Sequence, residues 1–141
     1  MKKFVIMAEM LFLLMVSCST SKVAYQDARN YFVNNNAPKT STKITTQEEF
    51  ARVFGMATTM AESGRPTYID FHRQMVIPII LPVTNRSTDI DIVSVKKGDV
   101  GVVVRYKLRV GEERSFSIQP CRILLIDRKY ASEPVVLEEV K

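Results

Sequence analysis

This chain predicts a mainly β fold: a small antiparallel Greek-key barrel of the OB kind, with one short helix. Three observations carry the prediction. From Val100 to Val110 the residues alternate, with Val100, Val102, Val104, Tyr106, Leu108 and Val110 on one face and Arg105, Lys107 and Arg109 on the other. That is the period of a half-buried antiparallel strand with one wet face. Further β-prone runs lie around it, and strands of this size must close or cover their edges, as a small barrel or compact sandwich does. The clearest helical pattern is "TTQEEFARVFG".

The elements follow in chain order. Lys2 and Lys3 precede the apolar run "FVIMAEMLFLLMV", broken only by Glu9, and then come Ser17 and Cys18. A short basic head, an apolar centre and a small residue before a cut are the parts of a secretory signal. The run is too short to span a bilayer comfortably, since about 20 apolar residues are needed. The stretch resembles a bacterial lipoprotein signal, in which the cysteine becomes the first mature residue and carries acyl chains. Met15 stands where that family usually has Leu, while Val16 and Ser17 fit its looser pattern. The resemblance implies residues 1–17 as signal peptide, Cys18 as the lipid (palmitate-type) attachment site and a bacterial cell-envelope location, with the outer membrane expected. A plain secretory cut near Ser17 with a free thiol is the other reading. Acylation of Cys18 would leave Cys121, in "CRILLI", as a lone small apolar residue rather than half of a disulfide.

Residues 18–28 read as a polar, lipidated tether and 29–141 as one barrel domain. "NYFV" (Asn30–Val33) is β-prone and the breaker cluster "NNNAPKTST" follows. Thr46 with Glu49 forms a capping box; Phe50, Val53 and Phe54 share a helix face, and Gly55 is placed to close the helix. In "QMVIPIILP", Pro78 predicts a bulge or an edge position. In "DIDIVSV" the alternation slips at Ile92–Val93, as a bulge would make it. "GEER" reads as a turn into "SFSI", and "RILLID" and "PVVLEEV" are the last strands.

Taking the two lysines and one glutamate of residues 1–17 from the 20 basic and 15 acidic residues leaves a net charge of +4. The basic residues are scattered, without the basic stripe and aromatic platforms of a nucleic-acid binder, so no nucleic-acid partner is expected. His72, the sole histidine, sits in "DFHRQ" with no orienting partner or nucleophile signature, and reads as a surface or strand-end residue. Asp89 and Asp91 alternate on one strand face and suit a solvated face opposite Arg105 or Lys107 better than a calcium site. No G-x-S-x-G, Walker-type or H-E-x-x-H motif occurs. The expectation is therefore a non-enzymatic protein without metal or cofactor that works through its loops.

The loop "LPVTNRSTD" (Leu81–Asp89) is the first candidate. Pro82 stiffens its entry, Asn85, Ser87 and Thr88 can bond to local backbone, and Arg86 projects from its tip. A stiff loop with a projecting cation suits a peptidase-blocking segment, because rigidity lowers the entropy lost on filling a cleft. Thr84, Asn85, Arg86 and Ser87 are the expected inhibitory residues. The plain alternative is a hairpin whose polar tip faces water. "VGEERSF" (Val110–Phe116), with Arg114 before Ser115, is an equal chemical match.

From "IDFHRQMVIPIILP" through "VVRYKLRV" to "FSIQPCRILLIDR" the chain resembles the carboxy-terminal domain of protease-complex accessory proteins. As a whole, with its lipoprotein signal, "YFVNNNAP", short helix and β-domain, it resembles the potempins. That resemblance implies an OB-like barrel in a small bacterial outer-membrane lipoprotein that inhibits a secreted peptidase, serine or metallo, in a 1:1 complex. A peptidase-stabilising accessory lipoprotein and an envelope binding or structural module are the rival expectations.

Overall fold

The computed structural model describes residues 20–39, 41–57 and 64–141; residues 1–17, expected as a signal peptide, and Cys18 lie outside the described residues. The described chain is mainly β. In order it forms β1 (Ser21–Lys22), β2 (Gln26–Ala28), β3 (Tyr31–Val33), α1 (Gln47–Val53), β4 (Phe54–Met56), β5 (Gln74–Ile80), β6 (Thr84–Gly98), β7 (Gly101–Ile118), β8 (Cys121–Asp127), a 3-10 turn (Arg128–Tyr130) and β9 (Val135–Glu139).

These make three layers. A four-stranded sheet has the order β1-β6-β7-β9, a three-stranded sheet the order β2-β8-β5, and β3 pairs with β4. Between the two larger sheets lies a core of Met75, Ile77 and Ile79 from β5, Leu124 and Ile126 from β8, and Val95, Val102 and Val104 from β6 and β7. The opposite face of β5 and β8 sends Val76, Ile123 and Leu125 into a second core with Phe50, Val53 and Phe54. Covered on both faces, β5 and β8 read as unbroken apolar runs, whereas β7, with one wet face, alternates.

Pro78 sits as an edge residue should. β5 is the outer strand of its sheet and its register with β8 runs unshifted from Gln74↔Asp127 to Ile80↔Cys121, so no bulge forms. Val76 exchanges backbone hydrogen bonds with Ile44 on the side away from β8 (2.8 and 2.9 Å). Two residues on, the nitrogen of Pro78 faces that same free side, where no ladder bond is lost. The phase slip in β6 is a bulge: the register shifts between Ile92 and Ser94, and Val93 turns outward. Thr46 caps α1, its Oγ1 accepting from the Glu49 N–H (3.2 Å), and Phe50 and Val53 are buried.

Five expectations are corrected. Residues 20–28 are no tether: β1 pairs with the end of β6, β2 pairs with β8, and Val23 and Ala28 are buried. Gly55 does not close the helix; it lies in β4 opposite Phe32, where a Cβ would stand 2.5 Å from the ring. The sheets are not all antiparallel, since β9 runs parallel to β7. "GEER" is no turn: β7 continues through it, and the real hairpin turn is Gly98–Gly101, with Gly101 at φ +110°. The turn leaves Val100 66% exposed, and Val110, beyond the core at the other end, is also exposed, so only Val102–Leu108 keep the expected alternation.

Candidate functional site: an exposed two-stranded ribbon

β9 stops pairing at Tyr106 and β1 covers β6 only at Lys96–Lys97, so the far half of the β6–β7 hairpin leaves the four-stranded sheet as a two-stranded ribbon. Its β7 side is exposed from Arg109 to Gln119. The loop expected at Leu81–Asp89 is therefore mostly strand from Thr84 onward, which is a correction: polar residues can complete a ladder when a partner strand is opposite, whatever their intrinsic preference. Thr84 faces Ile118, Arg86 faces Glu113 and Thr88 faces Val110. Between the first two pairs β7 takes five residues while β6 takes two, so β7 bulges outward at Arg114–Ser117.

The ribbon joins the two arginine-bearing segments that sequence kept as separate candidates. Thr84 Oγ1 accepts from the Arg86 N–H (3.1 Å) and Thr88 Oγ1 donates to the Arg86 carbonyl (3.1 Å), so both flanks of Arg86 are tied locally. Asn85 Nδ2 donates to Glu113 Oε1 (3.0 Å) across the strands. Arg114 donates to Ser87 Oγ (3.2 Å), and its guanidinium lies 5.6 Å from the Phe116 ring centre. The Arg86 guanidinium leans back toward the Gly111 carbonyl at 3.4 Å, a weak contact on an exposed side chain. Ser87, Glu112, Glu113, Arg114, Ser115 and Phe116 line a cleft of about 470 Å³. Phe116 closes the second candidate segment but had no role assigned there; its exposure beside a cation is a tertiary fact, though an aromatic in a polar run was the available signal.

Beside the ribbon, Arg109 bridges two carboxylates, at 2.8 Å from Asp91 and 3.4 Å from Asp89. These aspartates do form a solvated face, and Lys107 stands opposite Asp91 in the register as expected, but the ion pairs are made by Arg109, while Arg105 reaches Glu138 (3.7 Å). Their acceptance raises the Arg109 pKa, first through the hydrogen bond that Arg109 donates to Asp91. Nearer the core, Arg122 forks onto Asp27 (2.8 and 3.0 Å) and donates to the Ile90 carbonyl (2.5 Å), tying β8 to β2 and β6. His72 is exposed in the turn before β5, its N–H donating to Asp70 Oδ1 (3.0 Å). Cys121 is a partly buried free thiol whose pKa is raised by burial. Among the described residues no group of three or more His, Cys, Asp or Glu side chains is placed to hold a metal ion. No helix among them is long and apolar enough to cross a membrane.

A second depression, about 430 Å³, lies across the molecule between α1, β3 and β4, with Tyr31, Phe50, Phe54, Met56 and Tyr68 on its walls. Sequence reasoning did not foresee it, because its residues come from three separated segments. Comparison with known protein families, with curated proteins and with solved structures finds no match.

Proposed function

We propose that this protein is a lipid-anchored, non-enzymatic inhibitor of a secreted bacterial peptidase, and that it applies the β6–β7 ribbon to the enzyme's active-site cleft. One observation carries the reading. The two arginine segments, 27 positions apart at Ser87 and Arg114, meet in one exposed ribbon that extends past the core. Its backbone is held by paired strands and by hydrogen bonds on both flanks of Arg86. A segment held this way loses little freedom on entering a cleft. Arg is enriched among interface hot spots, and its planar fork matches a pocket carboxylate. The chain's resemblance to the potempins, and Cys18 behind its apolar run as the anchor, are consistent with this. The OB-like barrel is part of this reading and rests on the resemblance; β8 pairs with β5 in one sheet while β6 and β7 pair in the other, so the two sheets enclose the core between them.

The test is capture and inhibition. Peptidases in culture fluid are captured on the immobilised protein, and the captured enzyme is assayed with and without it. The expected result is a 1:1 complex, burying about 1,600 Å² in total, and loss of activity. Arg86→Ala or Arg114→Ala then weakens inhibition by about 2 kcal/mol, roughly thirtyfold, with an unchanged thermal midpoint. Capture without inhibition favours the accessory role, for which the aromatic depression at Tyr31 and Tyr68 is a second surface. If no peptidase is captured, the module reading replaces the inhibitor.

A further inference from the structure

We propose that the turn end of the β6–β7 hairpin docks on an anionic lipid surface, with Lys22 and Lys96 against the phosphates, so that the ribbon is presented away from the membrane. The proposal rests on the anchored reading above. Its first support is the direction of β1. β1 is antiparallel to β6, with Ser21 opposite Lys97 and Lys22 opposite Lys96. The chain read backward from Ser21 therefore runs toward the Gly98–Gly101 turn. Thr20 is already there, its methyl carbon 3.4 Å from where a Cβ on Gly98 would stand. Cys18 is two residues earlier, within about 7 Å of Thr20 by covalent reach. Acyl chains on Cys18 therefore enter the bilayer beside this turn, with no linker long enough to let the domain stand off.

The second support is the surface at that end. The register places Lys22, Lys96, Val103 and Val136 in one row across all four strands. Both lysines and Val136 are exposed, and so is Val100 in the turn. Like charges directly opposite on neighbouring strands repel. Among the described residues neither Lys22 nor Lys96 has an acidic partner within ion-pair distance. The acids nearby are Glu133, which is paired with Lys97 (3.4 Å), Glu138, which lies two positions beyond Val136 on the same face and is paired with Arg105 (3.7 Å), and Asp99 in the turn. An unneutralised lysine pair next to exposed valines suits a headgroup layer: the ammonium groups reach phosphate while the stems and valines lie against the apolar boundary. β6 has 15 residues, roughly 45 Å at about 3.3 Å per residue, so the ribbon at its start is held far from the headgroups.

The experiment uses the full-length protein isolated with its native anchor. It is reconstituted into vesicles of phosphatidylcholine, into vesicles of phosphatidylcholine with phosphatidylglycerol, and into detergent micelles. Lysines are acetylated under limiting reagent and read by mass spectrometry. The expected result is several-fold slower modification of Lys22 and Lys96 in the anionic vesicles than in micelles, with Lys39 and Lys107 unchanged. The Lys22→Glu, Lys96→Glu double variant remains in the membrane fraction but loses its tighter hold on anionic over neutral vesicles in a salt-dependent flotation assay. Equal rates in anionic vesicles and micelles overturn the docking, as does protection that is the same on neutral vesicles. The mass of the amino-terminal peptide reports acylation separately. An unacylated Cys18 overturns the anchor on which the proposal rests, whereas acylated protein with unprotected lysines overturns the docking alone.

Discussion

Two adjacent leucines test the three-layer architecture directly. In a two-layer sandwich one of any two neighbouring strand residues faces water. Here Leu124 is 0% exposed in the core against the four-stranded sheet and Leu125 is 2% exposed in the core against α1. Truncation to alanine removes three methylene-sized groups, about 2.4 kcal/mol of transfer free energy at roughly 0.8 kcal/mol each. A residual cavity of some tens of Å³ adds about 1 kcal/mol at roughly 24 cal/mol per Å³. Each variant, Leu124→Ala and Leu125→Ala, is therefore expected to lose about 3 to 4 kcal/mol, a drop of roughly 10 °C or more in thermal midpoint for a domain of this size. Urea unfolding followed by far-ultraviolet circular dichroism measures both. Arg105→Ala is the control: its ion pair with Glu138 is about half exposed on each side, so it changes stability by no more than about 0.5 kcal/mol. If Leu125→Ala behaves like the control while Leu124→Ala is damaging, the outer layer does not cover β8 and the reasoning fails.

Three other expectations follow from particular contacts. Gly101→Ala forces a Cβ into a backbone with φ +110° and to within 2.3 Å of the Pro134 carbonyl oxygen; it is expected to lose roughly 3 kcal/mol or more in urea unfolding. Gly55→Ala meets side-chain atoms alone, the Phe32 ring at 2.5 Å and Asn34 Oδ1 at 2.9 Å, and has no positive φ, so it should be clearly milder; equal losses would refute the distinction. Asp27→Ala removes the forked partner of a less-than-one-third-exposed Arg122 and is expected to lose about 1 to 2 kcal/mol, while Asp89→Ala, on the exposed Arg109 pair, stays within about 0.5 kcal/mol; the reverse order by chemical denaturation would refute the assignment. Burial raises the Cys121 pKa, so the unfolded thiol ionises first. The contribution is intact below about pH 8.5 and is lost as pH rises from there toward the folded pKa. Cys121→Ser should flatten part of the stability decline above about pH 8.5, and an identical slope in both proteins would count against it.

What the sequence determined by itself is local and periodic. The alternation from Val102 to Leu108 needed only a sheet with one wet face, and the slip at Val93 only the two-residue period of a strand. Thr46 capped the helix because a hydroxyl reaches the third amide along wherever a helix begins. Pro78 announced an edge or a bulge because it has no N–H to give to a ladder, and the tertiary pairing chose the edge. The tertiary structure alone decided where polar strands lie. Ser21–Lys22, Thr84–Thr88 and Gly111–Glu113 carry little apolar periodicity, and their extended state comes from a partner strand opposite rather than from their own side chains. Gly111 offered turn chemistry that the chain did not use, because the flanking residues found partners in β6; Gly98 and Gly101 turned instead, where Gly101 must pass against the backbone of Pro134. The candidate site divides in the same way. The arginine positions could be read from composition, but that Arg86 and Arg114 stand on facing strands of one ribbon is set by pairing between residues more than twenty positions apart, which no local pattern encodes.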